Sequence, residues 1–121
     1  MKILLAEDEE HIAKLVSFKL GREGFEVVIA KNGQEAIDQL TLQPWSLIIL
    51  DVMMPIKDGW QVLRHARATP ALSDIPVLML TAKGLPEDMT DAKELGATQF
   101  LKKPFDPAEL AELVKRMARS K

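Results

Sequence analysis

The sequence predicts an α/β domain in which a parallel five-stranded sheet carries helices on both faces. Short apolar runs alternate with helical patterns five times along 121 residues. Strands that alternate with helices in this way form parallel sheets with right-handed crossovers. Residues 47–50 are four large apolar residues in succession, which is typical of a central strand buried on both faces. The predicted fold is therefore a three-layer, doubly wound domain.

The five strands are predicted from runs of branched and other large apolar residues. These runs are residues 2–6, 25–30, 47–50, 75–80 and 99–101. The third run stops at Asp51, and Pro55 then turns the chain out of the sheet because proline has no N–H to donate to a neighbouring strand. We therefore expect Asp51 at the tip of a central strand.

The helices are predicted from helical spacing of apolar residues together with start and stop residues. The expected N-cap residues are Asp8, Asn32, Asp58 and Asp106. Gly21 is expected to end the first helix. A fourth helix is expected to start near Pro86, since proline suits a first helical turn, and to end at Gly96.

Composition narrows the range of functions. The sequence has no cysteine, which rules out disulfides, thiolate metal sites and cysteine nucleophiles. A net charge of -2 gives no electrostatic reason to expect nucleic acid or an anionic membrane as a partner. The first apolar run is too short for a signal peptide or a membrane span. We expect a single domain over residues 1–121, located in the cytoplasm, with no direct contact to nucleic acid or membrane.

Polar residues follow four of the five predicted strands. Glu7 and Asp8 follow the first strand, Asp51 the third, Thr81 the fourth and Lys103 the fifth. Because the carboxyl ends of parallel strands meet at one edge of the sheet, we expect these side chains in one crevice. Three neighbouring carboxylates repel one another unless a cation neutralises them, and Mg²⁺ suits oxygen ligands of this kind. Neither histidine is expected near this edge, which disfavours zinc or copper.

Lys103 and Thr81 would add hydrogen-bond donors for an anion to the predicted metal site. A divalent cation beside such donors is the equipment of phosphoryl transfer, in which catalysis consists mostly of positioning and charge neutralisation. The remaining carboxylate, Asp51, can then act as the nucleophile. The sequence thus points to phosphoryl chemistry at the carboxyl edge of the sheet.

At these positions the sequence resembles the receiver domains of two-component response regulators, over its whole length. The resemblance lies in Glu7-Asp8, Asp51 with Met54-Pro55, Asp58-Gly59, Thr81-Ala82 and Lys103-Pro104-Phe105. It implies a CheY-like, flavodoxin-like fold with strand order 2-1-3-4-5. It also implies that Asp51 accepts a phosphoryl group from the phosphohistidine of a sensor histidine kinase or a histidine phosphotransfer protein.

The resemblance assigns roles to the other residues of the crevice. It implies that Mg²⁺ is held by Glu7, Asp8, Asp51 and the backbone carbonyl of Met53, directly or through water. It implies that Lys103 contacts a phosphoryl oxygen and that its peptide bond to the following proline is cis. The protein would then be a signalling phospho-acceptor rather than an enzyme, assisting only its own phosphorylation and dephosphorylation.

The resemblance further implies a switch built on Thr81 and Phe100. Phosphorylation would draw the Thr81 hydroxyl to the phosphoryl group and let Phe100 turn inward. This would reshape the surface of the fourth helix, fifth strand and fifth helix for a downstream output protein or domain. A phosphorylation-dependent homodimer is left open. Receivers of winged-helix DNA-binding regulators usually carry acidic residues where this sequence has Thr98 and Gln99. This difference weakens, without excluding, the interpretation that the chain is the receiver of such a transcription factor.

Met53 and Lys83 lie two residues beyond Asp51 and Thr81 and flank the expected phosphoryl site. In receiver domains such positions tune the hydrolysis of the acyl phosphate. Neither side chain is a carboxylate or an amide that would orient a water molecule. The sequence therefore predicts comparatively slow self-dephosphorylation.

Two other functions use related equipment. A flavin-binding electron carrier of the same fold would need a phosphate-cradling loop after the first strand, where residues 7–10 are all acidic. A phosphatase with an aspartate nucleophile generally needs a second carboxylate two residues further on, where Met53 stands. A yellow purified protein would favour the first alternative, and turnover of a simple phosphate ester would favour the second.

Overall fold

The structure is a computed structural model that describes residues 1–81 and 96–119. Its five strands form one parallel sheet in the order β2-β1-β3-β4-β5. The strands are β1 (Lys2–Ala6), β2 (Glu26–Ala30), β3 (Leu47–Asp51), β4 (Val77–Thr81) and β5 (Gln99–Lys102). This order confirms the predicted flavodoxin-like arrangement and places β1, β3 and β4 in the interior of the sheet.

Helices cover both faces of the sheet. The described helices are α1 (Glu10–Arg22), α2 (Gly33–Leu40), α3 (Gly59–Ala68) and α4 (Pro107–Arg119), with a short 3-10 helix at Pro70–Leu72. Buried residues of α2 and α3 pack on one face, and those of α1 and α4 pack on the other. The predicted helix between Pro86 and Gly96 falls almost wholly on residues 82–95, outside the described residues. None of the described helices is long and apolar enough to cross a membrane.

Alternation along the strands builds two apolar cores, one on each face of the sheet. In β3, Ile48 and Leu50 contribute to the core beneath α2 and α3, while Leu47 and Ile49 contribute to the opposite core. All four residues are completely buried. Each such side chain contributes about 1.5–3 kcal/mol to folding through removal of apolar surface from water. The strand that ends at Asp51 is therefore anchored in the core from both faces of the sheet.

The structure corrects two of the predicted element ends. The first helix begins at Glu10, and its N-cap position is held by Glu9 without a side-chain cap, so the prediction that Asp8 caps this helix was wrong. Gly21 lies inside α1 instead of ending it. The chain leaves the helix at Gly24, whose φ of +95° is a conformation that glycine adopts without strain.

Three of the predicted caps are confirmed. Asn32 accepts a hydrogen bond from the backbone N–H of Glu35 at the start of α2, at 2.9 Å. Asp58 and Gln61 form a reciprocal capping box at the start of α3. Asp106 likewise accepts a backbone hydrogen bond in the first turn of α4, at 2.8 Å. The starts of α2 and α3 are thus fixed by local hydrogen bonds.

Candidate functional site

The carboxyl edge of the sheet brings the predicted charged side chains together. Glu7 follows β1, Asp51 is the last residue of β3, and Lys103 follows β5. The Nζ atom of Lys103 lies 3.0 Å from Oε2 of Glu7 and 3.2 Å from Oδ2 of Asp51. One amine therefore bridges two carboxylates that come from separate strands.

Asp8 adds a third carboxylate to this pair. One carboxylate oxygen each from Glu7, Asp8 and Asp51 lies within 4.8 Å of the other two. The side chains of Glu7 and Asp51 are 0% and 4% exposed, whereas Asp8 is exposed. The cluster is therefore buried at its base and open to solvent at Asp8, where an ion or a partner can enter.

The charges in this cluster are not balanced. Burial and the neighbouring Glu7 carboxylate raise the pKa of Asp51 to about 7, although Lys103 opposes the rise. Burial alone would lower the pKa of Lys103, but the Glu7 and Asp51 carboxylates outweigh it and raise that pKa. Among residues 1–81 and 96–119, one ammonium group therefore faces two buried carboxylates and a third at the rim, and a further cation would reduce the excess negative charge.

The donor set fits a hard divalent cation. Oε2 of Glu7 is within ion-pair distance of Lys103 but, among the described residues, accepts no hydrogen bond. Backbone N–H groups orient the other oxygens: Glu9 N–H donates to Glu7 Oε1 at 3.2 Å, and Met53 N–H donates to Asp51 Oδ1 at 3.3 Å. Carboxylate oxygens held in this way are the ligands that Mg²⁺ and Ca²⁺ prefer, so the acidic cluster could bind a metal ion.

Residues 52–58, which we call the acceptor loop, connect Asp51 to α3. The loop closes on itself through a hydrogen bond from Gly59 N–H to the carbonyl of Val52, at 3.0 Å. Gly59 is needed at this point because a Cβ atom there would lie only 2.4 Å from the carbonyl oxygen of Asp51. Within the loop, Ile56 has a φ of +72°, which is strained for a β-branched residue.

The predicted switch residues lie on the neighbouring strands β4 and β5. Thr81 is the buried last residue of β4, and its carbonyl accepts a hydrogen bond from Lys103 N–H at 2.6 Å. Phe100, in β5, is half-buried and packs against the core beneath α2 and α3. The Lys103–Pro104 peptide bond is cis, as the resemblance predicted. The structure thus brings Thr81 and Lys103 together by way of their backbones.

Two features of the site were not predicted from the sequence. Glu9 has an Oε1 atom 3.7 Å from Lys103 Nζ, which adds a half-exposed carboxylate to the rim. Gly33, at the start of α2, lies directly against the backbone of Lys57 in the acceptor loop. The run of acidic residues after the first strand hinted at the first feature, but no sequence signal pointed to the second.

The sequence of the chain matches a known protein family and known proteins of that family. The family model described as the response regulator receiver domain matches residues 3–115. Over 119 residues the chain is 41% identical to the phosphate regulon transcriptional regulatory protein PhoB of Escherichia coli, covering 98% of this chain and 52% of PhoB. It is 38% identical over 116 residues to a probable transcriptional regulator, ycf29, of Pyropia yezoensis, covering 96% of this chain and 52% of that protein.

Solved structures agree with the family match. The chemotaxis protein CheY4 of Vibrio cholerae superimposes with a TM-score of 0.91 at 34% identity, covering 96% of this chain and 97% of that chain. The receiver domain of sensor histidine kinase PA1611 from Pseudomonas aeruginosa, solved with a magnesium ion in its active site cleft, gives a TM-score of 0.89 at 29% identity, covering 98% and 97%. The chain spans about half the length of PhoB and ycf29, and nearly all of these two solved domains. The chain therefore belongs to the response regulator receiver domain family of two-component signal transduction.

Proposed function

We propose that Asp51 is the residue that accepts the phosphoryl group, delivered by the phosphohistidine of a sensor histidine kinase or a histidine phosphotransfer protein. The observation that carries this proposal is the position of Lys103, whose ammonium group lies 3.2 Å from a carboxylate that is 4% exposed at the end of the central strand. A cation at this distance can stabilise the negative charge on an oxygen of the incoming phosphoryl group.

The transfer breaks the N–P bond of the phosphohistidine and forms an O–P bond to a carboxylate oxygen of Asp51. The imidazole nitrogen keeps the electron pair of the broken bond and takes up a proton. Hydrolysis later breaks the P–O bond by attack of water, which returns the Asp51 carboxylate and releases inorganic phosphate. In both steps Lys103 offers its N–H groups to a phosphoryl oxygen while Glu7, at 3.0 Å, holds the ammonium in place.

The proposed ligands of Mg²⁺ are Glu7, Asp8, Asp51 and the backbone carbonyl of Met53. When bound, the ion would neutralise carboxylate and phosphoryl charge during the transfer. The three carboxylates support this assignment by their spacing, and Glu7 Oε2 supports it because it accepts no hydrogen bond among the described residues and so keeps lone pairs for a cation. The PA1611 receiver domain, which carries a magnesium ion in its cleft, offers a precedent within the family.

We further propose that the protein assists its own phosphorylation by small acyl phosphates and its own slow dephosphorylation. Met53 is 69% exposed beside the acceptor and cannot hold a hydrolytic water by hydrogen bonds. We expect Met53→Asn, which supplies an amide, to shorten the lifetime of the phosphorylated protein. The measurement is the decay of phosphorylated mass with time, and an unchanged lifetime would contradict this part of the proposal.

The proposed output is a rearrangement of Thr81 and Phe100 after phosphorylation. The two residues lie on paired strands, and Phe100 is half-buried at the border between the core and solvent, which supports a role for its ring in this rearrangement. We expect Phe100 to point inward in the activated state. Structures with and without a phosphoryl mimic test this, and an identical Phe100 rotamer in both would contradict it.

The partners follow from the family and stay part of the proposal. A histidine kinase or phosphotransfer protein would deliver the phosphoryl group in the cytoplasm, and a downstream protein or an attached domain would read the change. Relatives such as PhoB are named as transcriptional regulators and are about twice the length that the chain spans. For residues 1–121 we propose a single receiver domain that makes no direct contact with nucleic acid.

Mass spectrometry tests the central proposal. The protein is incubated with a small acyl phosphate, with and without Mg²⁺, beside Asp51→Asn and the matched control Asp38→Asn, which removes an exposed carboxylate of α2. We expect the parent and the control to gain one phosphoryl group only when Mg²⁺ is present, and Asp51→Asn to gain none. A gain in Asp51→Asn equal to the parent would place the acceptor elsewhere. No gain in the parent would indicate a degenerate receiver that docks without phosphorylation.

A further inference from the structure

The start of α2 lies in direct contact with the acceptor loop at Gly33. A Cβ atom built on Gly33 would lie 1.8 Å from the carbonyl oxygen of Lys57, 2.5 Å from its carbonyl carbon and 2.6 Å from its Cβ atom. Two of these three atoms belong to the backbone, which cannot rotate away as the end of a side chain could. Any side chain at position 33 would therefore displace either α2 or the loop.

The start of α2 is held in place on its own side of this contact. Asn32 caps the helix by accepting a hydrogen bond from Glu35 N–H at 2.9 Å, and Glu35 Oε1 accepts one from Lys31 N–H at 3.1 Å. These two bonds tie the first turn of α2 to the backbone before it and so fix the chain on both sides of Gly33. A methyl group at position 33 would therefore move the loop more readily than it would move the helix.

The far end of the acceptor loop is fixed as well. Asp58 N–H donates to Gln61 Oε1 and Gln61 N–H donates to Asp58 Oδ1, both at 2.9 Å, so the turn into α3 is locked. Gly59 is held against the carbonyl of Asp51. Between these two fixed points lie residues 53–56, which include the strained Ile56 and Met53, whose N–H donates to Asp51 Oδ1 at 3.3 Å.

We propose that Gly33 is a positioning residue for the metal and phosphoryl site, although it lies on a different helix and carries no functional group. Its missing side chain lets the Lys57 backbone lie on the first turn of α2, and this contact sets the position of the segment that carries the Met53 carbonyl. The inference rests on the proposed metal site. It predicts that adding one methyl group on α2 weakens Mg²⁺ binding without altering any ligand.

The test is the Mg²⁺ affinity of Gly33→Ala, measured by calorimetric titration of the metal-free protein. We expect affinity to fall about tenfold, the scale on which groups that orient metal ligands act. The matched control is Gly21→Ala, which adds the same methyl group within α1 at a position where, apart from its chain neighbours and the helix's own backbone, no described atom lies within 4 Å. Its Mg²⁺ affinity should equal that of the parent. Urea unfolding of each variant separates loss of stability from loss of affinity.

The outcomes are distinct. A Gly33→Ala protein that is less stable but binds Mg²⁺ as tightly as the parent would show that Gly33 serves folding alone, which overturns the inference. A parent protein that binds no Mg²⁺ would overturn both this inference and the proposed metal site. Equal affinity for Mg²⁺ in the parent and Gly21→Ala, together with weaker affinity in Gly33→Ala, would support the inference.

A second pair of variants tests the same contact from the loop side, in case Gly33→Ala does not fold. Lys57→Gly frees the backbone at the residue that Gly33 holds, and Lys57→Ala removes the same charge while keeping the backbone restricted. We expect weaker Mg²⁺ binding in Lys57→Gly than in Lys57→Ala. Equal affinity in the two folded variants would show that the loop needs no such restraint and would contradict the proposal.

Discussion

The central strands and the edge strand β5 contribute different things to the site. Every residue of β3 and β4 is buried, whereas the ends of β5 are exposed and its middle residues are only half-buried. The carboxylates come from the centre, with Glu7 after β1 and Asp51 at the end of β3. The ammonium of Lys103 and the aromatic ring of Phe100 come from the edge.

This division shows how a receiver can keep its acceptor rigid and its output adjustable. Burial in the centre dehydrates Asp51 and raises its pKa, and the packed strands on both sides prevent the carboxylate from moving to water. At the edge, a half-buried side chain such as Phe100 loses fewer packing contacts when it changes rotamer, so a rearrangement there costs less free energy than one in the centre.

Truncation of a leucine to alanine should give the largest change in the free energy of unfolding, and this change should differ most clearly between the central strands and β5. Leu50 in β3 is completely buried, and Leu101 in β5 is half-buried. We expect Leu50→Ala to lower the free energy of unfolding by about 3–4 kcal/mol, and Leu101→Ala to lower it by only about 1–2 kcal/mol. Urea unfolding of both variants measures the difference. Equal losses would show that the edge is packed as tightly as the centre.

Removal of the edge cation should have the next largest effect. Lys103→Met leaves Glu7 and Asp51 buried without their positive partner, and we expect a loss of about 2–4 kcal/mol in metal-free protein at pH 8. Thermal unfolding should show a smaller loss near pH 5, because burial and the Glu7 carboxylate raise the pKa of Asp51 to about 7 and its carboxyl is then protonated, and Mg²⁺ should restore part of the stability at pH 8. Lys102→Met, which removes the exposed lysine next to it, is the control and should change little.

The charge on Asp51 should itself destabilise the metal-free protein. Its pKa is raised from 3.8 to about 7, so the folded state binds the proton more tightly than the unfolded state does, and this contribution to stability is lost as the pH rises from about 4 to about 7. We expect Asp51→Asn to be more stable than the parent by about 1–2 kcal/mol at pH 7.5. The difference should vanish near pH 4.

Urea unfolding across this pH range measures the effect. Glu109→Gln, which neutralises an exposed carboxylate on α4, should follow the parent at every pH. If Asp51→Asn were less stable than the parent at pH 7.5, the attraction between Asp51 and Lys103 would outweigh the desolvation of the carboxylate. The buried charge of Asp51 would then stabilise the centre of the sheet instead of destabilising it.

The smallest expected effect concerns the acceptor loop between the central strand and α3. Ile56 is 70% exposed and adopts a left-handed conformation that disfavours β-branched residues. We expect Ile56→Asn to raise the free energy of unfolding by about 0.5–1 kcal/mol, because asparagine tolerates this conformation and little burial is lost. Ile56→Thr keeps the branched side chain and is the control. A gain in Ile56→Thr as large as that in Ile56→Asn would show that loss of apolar exposure, and not strain, is responsible.

The positions of the site residues could be predicted from the sequence because they follow the topology. Once the strands were recognised, Glu7, Asp51, Thr81 and Lys103 all had to lie at the carboxyl edge, and the structure places them there. The caps at Asn32 and Asp58 were equally local and are confirmed. The assignment of Asp51 as phospho-acceptor, by contrast, came from the family resemblance, since the residue types alone also allowed other chemistry.

Features that depend on competition or on contact between distant segments could not be predicted. Asp8 is a good N-cap by residue type, but it lies in the acidic cluster with Glu7 and Asp51, and the helix starts one residue later than an Asp8 cap would place it, without a side-chain cap. The contact of Gly33 with Lys57 depends on how closely α2 and the acceptor loop approach in three dimensions. A glycine after an asparagine cap looks, in sequence, like any other helix start.

The ion pair between Glu7 and Lys103 joins residues 96 positions apart in the chain. During synthesis, Glu7 and Asp51 leave the ribosome well before the strand that precedes Lys103, so a nascent chain displays its carboxylates without their ammonium partner. The ion pairs of the site therefore form only once β5 has docked against β4. A copy of the protein in which β5 has not docked would keep Glu7 and Asp51 without their ammonium partner.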